Sequence, residues 1–183
     1  MPQFDHFGAI APIYARAAYS KTGMMRELAE LPIKGRLLDV GGGTGRVSSA
    51  LCDLVDEVVI ADVSFGMLKQ TLLSKLNPVC GYSESLPFTD NSFERVIMVD
   101  ALHHVINHAE SAREMFRVLK PGGLLIIEEP DIRTFGVKLI ALAEKLLLMR
   151  SHFLAPDAIM KLFASGEKKI HAEDGTDWVV VGK

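Results

Sequence analysis

A short apolar run that ends in a cluster of glycines constrains this chain more than any other feature of its sequence. Residues 37–40 are typical of a buried β-strand, four glycines follow within residues 41–45, and a helical pattern starts at Arg46. Glycines let the backbone approach a ligand without a Cβ in the way, and a helix start presents unpaired N–H groups and a positive dipole end. The sequence therefore predicts a strand, a ligand-binding turn and a helix.

The spacing of these glycines excludes two common phosphate-binding loops. A P-loop needs Lys followed by Ser or Thr after its last glycine, whereas Arg46 and Val47 follow here. The dinucleotide fingerprint needs glycines at its first, third and sixth positions, and in either reading frame the sixth position is arginine or serine. The pattern that is present is Asp39-x-Gly41-x-Gly43-x-Gly45.

This pattern resembles motif I of the class I S-adenosylmethionine-dependent methyltransferases, whose cofactor carries no phosphate. Further segments at family-like intervals extend the resemblance over most of the chain. Residues 57–62 read as a second strand that ends in a carboxylate, and residues 84–94 and 113–124 resemble later family segments. Together they are similar to the UbiE-like branch, which serves ubiquinone and menaquinone biosynthesis.

The resemblance implies S-adenosylmethionine as the cofactor and a small-molecule methyl acceptor. The glycine loop would meet the methionine moiety through backbone atoms, and Asp62 would accept both ribose hydroxyls because a carboxylate is a two-oxygen acceptor. The implied cofactor-binding set is Tyr14, Asp39, Gly41, Gly43, Thr44, Gly45, Asp62, Val63, Met67, Ser83, Glu84 and Asp100.

Several members of this set have a plain structural alternative. Asp39 would hold the loop and contact the ligand ammonium through water, or only cap backbone N–H groups. Met67 would cover the adenine face with its thioether, or be an ordinary core methionine. Asp100 would contact the cofactor through its backbone, or cap the following turn.

Two segments depart from the family pattern. Tyr82 stands where the family often has an acid for the adenine amino group, so Ser83 and Glu84 are the predicted substitutes. The amino-terminal stretch resembles the family segment around Tyr14, but Ala15 replaces its usual acid. We expect this segment to fold over the cofactor as a lid that excludes water.

The loop after the fourth predicted strand contains adjacent histidines, His103 and His104. They are predicted to line the acceptor pocket and to position a nucleophile or take its proton. The alternative is that they only hydrogen-bond the backbone. His104 and His108 are four residues apart, but no third ligand cluster accompanies them, so a metal site is not expected.

The order of elements predicts the fold. Strands near residues 37–40, 58–62, 78–81, 95–99 and 124–128 alternate with helices, which indicates a parallel sheet covered on both faces. Asp174-Gly175 predicts a final hairpin between residues 168–173 and 178–181. With the family's strand order, we expect a Rossmann-like, doubly wound α/β fold with a seven-stranded, mainly parallel sheet of order 3-2-1-4-5-7-6. A single domain over residues 1–183 would comprise a helical cap or lid (1–34), a cofactor-binding core (35–130) and C-terminal helices with the antiparallel hairpin (131–183).

Composition limits the partners and the compartment. A chain of 183 residues that is 49% hydrophobic can bury one core, and its net charge of −3 argues against nucleic acid. Two cysteines without metal spacing and an amino terminus without a signal sequence predict a cytoplasmic protein. The most apolar stretch, residues 139–149, is interrupted by Glu144 and Lys145 and is too short for stable membrane insertion. An apolar stripe after Asp131 suggests an apolar or aromatic acceptor, or plain core packing; its members are Phe135, Leu139, Leu142, Leu146, Met149 and Phe153.

Three functions stay open at this level. The first is a small-molecule methyltransferase that uses S-adenosylmethionine. The second is a non-catalytic cofactor-binding module or partner subunit, and the third is a nucleotide-dependent oxidoreductase, which shares Asp62 but has the sixth-position glycine that this chain lacks. A homodimer is compatible with all three.

Overall fold

The computed structural model describes residues 19–71, 75–139 and 151–183, together with Gly8 and Ala11. Within these ranges seven strands form one sheet. They are β1 (Arg36–Val40), β2 (Glu57–Asp62), β3 (Asn77–Cys80), β4 (Phe93–Val99), β5 (Leu119–Pro130), β6 (Glu167–Glu173) and β7 (Thr176–Gly182). The spatial order is β3-β2-β1-β4-β5-β7-β6, and the predicted order is confirmed.

The first five strands pair in parallel, while β7 is antiparallel to both β5 and β6. The central strands β1 and β4 are mostly apolar because helices cover both faces of the sheet, although each also contains charged residues. Strand order reverses between β1 and β4, so the carboxyl ends of these two strands border a crevice. Motif residues that follow β1, β2 and β4 therefore meet at one edge of the sheet.

The fifth strand differs from its predicted bounds of 124–128. It starts at Leu119, directly after the helix ends at Val118, and the pairing with β4 shifts register between Phe93 and Arg95. Pro121, Gly122 and Gly123, which precede the predicted strand, lie inside the observed strand as an irregularity, with Gly122 at φ +79°. A bulge of this kind lets a strand continue across extra residues.

Five α-helices are described: α1 (Thr22–Leu28), α2 (Arg46–Leu51), α3 (Phe65–Leu68), α4 (His108–Val118) and α5 (Pro156–Lys161). Helices α1 and α2 bury Met25 and Leu51 against one face of the sheet. Helices α4 and α5 bury Met115 and Ile159 against the other face. The two apolar cores hold the crevice edge of the sheet rigid.

Some expectations fall outside the described residues or are changed. Tyr14 and most of the predicted lid before Tyr19 lie outside them, as does most of the stripe after Asp131, whereas residues 19–34 of the predicted cap are described and contain α1. Residues 135–139 are helical, but Phe135 is 77% exposed and Leu139 is 52% exposed, whereas Val137 is buried. The prediction that core packing explains the stripe is therefore wrong for Phe135 and Leu139. Val137, on the other side of the same helical turn, is the residue that packs against the protein. No helix within the described ranges has the length and apolar character needed to cross a bilayer.

Candidate functional site

The glycine loop turns sharply at the end of β1. Gly41, Gly43 and Gly45 have φ values of +71°, +55° and +76°, a backbone conformation that residues with a side chain rarely adopt. The Gly41 N–H donates to the Ala61 carbonyl at 2.7 Å, and a Cβ on Gly41 would lie only 2.7 Å from the Ala101 Cβ. The loop after β1 thus lies directly against the loop after β4.

Asp62, at the end of β2, joins the glycine loop to the next turn. Its Oδ2 accepts the Gly43 N–H at 2.8 Å, and its Oδ1 accepts the Ser64 N–H at 2.7 Å. A carboxylate offers about four acceptor sites, so this side chain can accept from several donors at the junction. The Met67 sulfur and the Asp62 Oδ2 both lie 3.9 Å from where a Cβ on Gly43 would project. Met67 is 5% exposed, so one residue meets both the core and the loop.

Asp39 lies beneath the loop, with 1% of its surface exposed. Its Oδ2 accepts the Ser48 hydroxyl at 2.7 Å, and a Cβ on Gly42 would lie 2.7 Å from its carboxyl carbon. Burial raises the pKa of Asp39 to about 7; the charge of Asp62 adds to this, while the Ser48 bond opposes it. This group titrates near neutrality.

A cavity of about 190 Å³ opens at the reversal of strand order. Glu128, at the carboxyl end of β5 and 5% exposed, accepts the Tyr19 hydroxyl at 2.5 Å and the Lys21 Nζ at 3.0 Å. The cavity is lined by Tyr19, Ser20, Lys21, Arg46, Asp100, Glu128 and Pro130. Sequence reasoning missed Glu128 and its partners; the available signal was a glutamate pair at the end of an apolar strand.

Asp100 lies at this cavity with its backbone at φ +53°. Its N–H donates to the Glu128 carbonyl at 2.9 Å, and its carboxylate is 3.9 Å from the Arg46 guanidinium. Loss of hydration in the cleft raises the pKa of Asp100, and the charge of Arg46 opposes that rise. Its side chain faces a charged cleft and does not only cap a turn.

The two histidines have different surroundings. His103 is 3% exposed, and its Nδ1 lies 2.6 Å from the buried Glu129 carboxylate. His104 is half-buried, with Nδ1 3.4 Å from the Ser151 hydroxyl. Burial, with the charge of His103 as a second cause, lowers the pKa of His104 to about 4. The sequence placed the histidines together but contained no sign of the Glu129 partner.

The predicted adenine-side residues are drawn into a local network. Glu84 Oε1 accepts the N–H groups of Ile106 and Asn107, each at 3.2 Å. The Ser83 hydroxyl donates to the Glu84 Oε2 at 3.1 Å and lies 2.8 Å from the Ser111 hydroxyl. Three apolar or aromatic side chains in the loops after β2 and β3 are more than half exposed: Val63, Phe65 and Tyr82.

In the part of the chain that the structure describes, no group of three or more His, Cys, Asp or Glu side chains is placed to hold a metal ion. His108 Nε2 lies 3.1 Å from the Leu102 carbonyl, while His104 faces Ser151. The spacing of four between these histidines does not produce a shared ligand position.

Comparison with known proteins identifies the family of the central segment. Residues 38–127 match a family described as a methyltransferase domain. A ubiquinone/menaquinone biosynthesis C-methyltransferase UbiE of Pseudomonas paraeruginosa is 32% identical over 164 residues, covering 82% of this chain and 64% of that protein. A demethylmenaquinone methyltransferase of Renibacterium salmoninarum is 40% identical over 103 residues, covering 55% of this chain and 44% of that protein. The chain spans about half the length of the curated relatives it matches.

Solved structures share the architecture over nearly the whole chain. A SAM-dependent methyltransferase from Thermotoga maritima superposes with a TM-score of 0.79 at 24% identity, covering 96% of this chain and 97% of that one. A protein from Pyrococcus horikoshii gives 0.72 at 21% identity, covering 98% and 99%. At such identities the likeness establishes the fold alone.

Proposed function

Since residues 38–127 belong to the methyltransferase domain family, we propose that this chain is an S-adenosylmethionine-dependent methyltransferase acting on a small molecule. The observation that carries the proposal is the junction of the glycine loop with Asp62. An open backbone turn and a carboxylate that accepts the Gly43 N–H meet at the edge where strand order reverses.

The residues present fit this cofactor. The space in front of Gly43, bounded by the Asp62 carboxylate and the Met67 thioether, would be narrowed by any side chain at that position. A ribose diol matches the two-oxygen acceptor of the Asp62 carboxylate, and a thioether suits an aromatic face. Arg46 and Val47 follow the last glycine in place of the Lys and Ser or Thr of a P-loop, which suits a ligand without phosphate. Gly41, Thr44 and Gly45 would complete the loop contacts, with Val63, Ser83 and Glu84 on the adenine side.

The bound cofactor supplies an activated methyl group on a sulfonium, so the protein mainly aligns the acceptor and excludes water. Arg46 and Asp100 flank the cavity between the glycine loop and β5. Their opposite charges orient polar groups there without a large net field. We propose that this cavity receives the end of the cofactor farthest from Asp62 together with the acceptor.

A small aromatic acceptor with oxygen substituents, such as a quinone precursor, is our proposal for the second substrate. The curated relatives carry names of quinone-biosynthesis methyltransferases. Lys21, Arg46 and Glu128 give the described part of the cavity a polar lining, which suits ring hydroxyl or carbonyl oxygens better than a pure hydrocarbon.

His104 lies in the loop after β4, four residues after Asp100, which lines the cavity. We propose His104 as the group that receives a hydrogen bond from the acceptor. Its pKa of about 4 keeps the imidazole unprotonated at neutral pH, so it accepts rather than donates on one nitrogen. The same low pKa makes it a weak base, suited to orienting a hydroxyl. His104→Ala should lower turnover at saturating cofactor by about tenfold or more. His171→Ala, on the exposed strand β6, is the control, and equal turnover of the two variants would remove the assignment.

Calorimetric titration tests the cofactor directly. We expect binding of S-adenosylmethionine and no binding of NAD. Asp62→Ala should weaken the Kd by about 10- to 100-fold, since hydrogen bonds to a charged group contribute about 1.5–3 kcal/mol. Asp56→Ala is the matched control, because Asp56 also accepts a backbone N–H, from Gly35, but at the opposite edge of the sheet.

Methyl transfer from labelled S-adenosylmethionine into a metabolite extract tests the activity. Binding of NAD in place of S-adenosylmethionine would overturn the proposal in favour of an oxidoreductase. Cofactor binding without transfer to any component of the extract would instead indicate a non-catalytic binding module. Labelled product would also identify the acceptor.

A further inference from the structure

A second buried carboxylate stands at the carboxyl end of β5, one residue after Glu128. Glu129 is 2% exposed, and its Oε1 accepts the N–H groups of Ala101 at 3.0 Å and Leu102 at 2.7 Å. These two N–H groups begin the 3-10 helix Leu102–His104, where backbone donors have no partner within the helix. One side chain of β5 therefore fixes the loop that follows β4.

The other oxygen of Glu129 is oriented by His103. Its Oε2 lies 2.6 Å from the His103 Nδ1, and the imidazole stacks on Phe153 with ring centroids 4.2 Å apart and planes 10° apart. The His103 carbonyl also accepts the His152 N–H at 2.7 Å. Packing and hydrogen bonding thus hold the imidazole in one position, and the imidazole holds the carboxylate.

This arrangement bears on the cofactor cleft because of where the fixed loop lies. Ala101 packs closely on the glycine loop: a Cβ added to Gly41 would lie only 2.7 Å from the Cβ of Ala101. A shift of the loop after β4 would therefore move the wall against which Gly41 and the ligand lie. Loss of the Glu129 bonds would free two N–H donors at this wall.

We propose that Glu129 is a positioning residue of the cofactor site, which holds the loop after β4 against the glycine loop, and that His103 keeps its carboxylate in the working orientation. This inference rests on the proposed cofactor binding. It separates the roles of the adjacent glutamates, since Glu128 lines the cavity and Glu129 supports its wall. It also separates the adjacent histidines, since His103 acts through Glu129 and His104 faces Ser151.

The test measures binding of S-adenosylhomocysteine by calorimetry, beside unfolding in urea. Glu129→Gln should weaken the Kd by about tenfold or more, because the amide replaces a charged acceptor. The matched control is Glu94→Gln: its carboxylate accepts the Arg36 N–H at 2.7 Å, but at the amino edge of the sheet. We expect this control to lose stability while its Kd stays within about twofold of the wild-type value.

Two variants of His103 test whether this residue acts through Glu129. If Glu129 had only a structural role, the Kd values of the two variants would not differ. His103→Asn retains an N–H donor near the position of Nδ1 and should keep the Kd within about threefold of wild type. His103→Leu leaves Glu129 without that donor and should weaken binding about as much as Glu129→Gln. The double variant of His103→Leu and Glu129→Gln should be no weaker than either single variant, because both act through one contact.

The outcomes separate the two proposals. If wild type binds S-adenosylhomocysteine but Glu129→Gln matches Glu94→Gln, the positioning role is wrong. Equal Kd values for the Asn and Leu variants at position 103, or additive losses in the double variant, would also overturn it. Should Glu129→Gln fail to fold, the comparison at position 103 decides alone. Absence of binding by the wild-type protein would overturn the proposed function itself, and this inference with it.

Discussion

The buried carboxyl of Asp39 should make the stability of this protein depend on pH near neutrality. Asp39 is 1% exposed, and burial raises its pKa from 3.8 to about 7. The folded state therefore binds this proton more tightly than the unfolded chain does. Between the two pKa values the native state carries more protons, so the free energy of unfolding falls as pH rises from about 4 to about 7. Asp39→Asn has the same shape, still accepts from Ser48, and cannot ionise.

The size of the effect follows from the shift in pKa. One unit corresponds to about 1.4 kcal/mol, so ionising Asp39 in the folded protein costs up to about 4 kcal/mol above pH 7 relative to the unfolded chain. Between about pH 5 and about pH 8 this cost grows by about 2–3 kcal/mol. We therefore expect the stability of Asp39→Asn, measured relative to wild type, to rise by about that amount over this range.

Urea unfolding followed by fluorescence measures this difference, because the single tryptophan, Trp178, is 1% exposed. Asp131→Asn is the control: hydrogen bonds from Arg133 hold the pKa of Asp131 below its ordinary value, so its charge is constant over the range. The difference in free energy of unfolding between Asp131→Asn and wild type should not change with pH. Parallel pH profiles for wild type and Asp39→Asn would refute the reasoning, since they would show that Asp39 titrates alike in both states.

Two further predictions concern the backbone and the carboxyl end of α4. Gly41→Ala should lower the free energy of unfolding by about 1–3 kcal/mol more than Gly122→Ala does, and it should weaken S-adenosylmethionine binding. Both glycines have positive φ, but only a Cβ on Gly41 would contact Ala101, at 2.7 Å. Equal losses in urea would show that φ alone sets the cost. Lys183→Met should lower the free energy of unfolding by about 1–3 kcal/mol, because the amine donates to the carbonyls of residues 116, 117 and 119. An unchanged urea midpoint would contradict that contribution.

Features that depend on neighbouring residues could be predicted from the sequence. The glycine loop follows from residues 37–46, because glycine spacing and the start of a helix are local properties. Alternating strands and helices indicated a parallel sheet, and Asp174-Gly175 indicated the hairpin of β6 and β7, which the structure confirms. The strand order came from the resemblance to a family, and the observed order agrees.

Features that join distant residues could not be predicted in this way. His103 and Glu129 are 26 residues apart, and Tyr19 and Glu128 are 109 apart. Nothing in the local sequence shows that these side chains meet. The first pair depends on β5 lying beside β4, and the second on the segment before β1 reaching the carboxyl end of β5. The bulge that lengthens β5 likewise depends on its pairing with β4.

The sequence by itself determined the chemistry that is available at the crevice: a flexible glycine turn, an acid at the end of the second strand and histidines after the fourth. Local backbone preferences and residue type suffice for that. Only the tertiary structure decided burial and hydrogen-bond partners. Burial placed the pKa of Asp39 near 7 and that of His104 near 4, and strand neighbours gave His103 its carboxylate. Hydration and partner distance are set by packing, so they emerge only when the sheet is assembled.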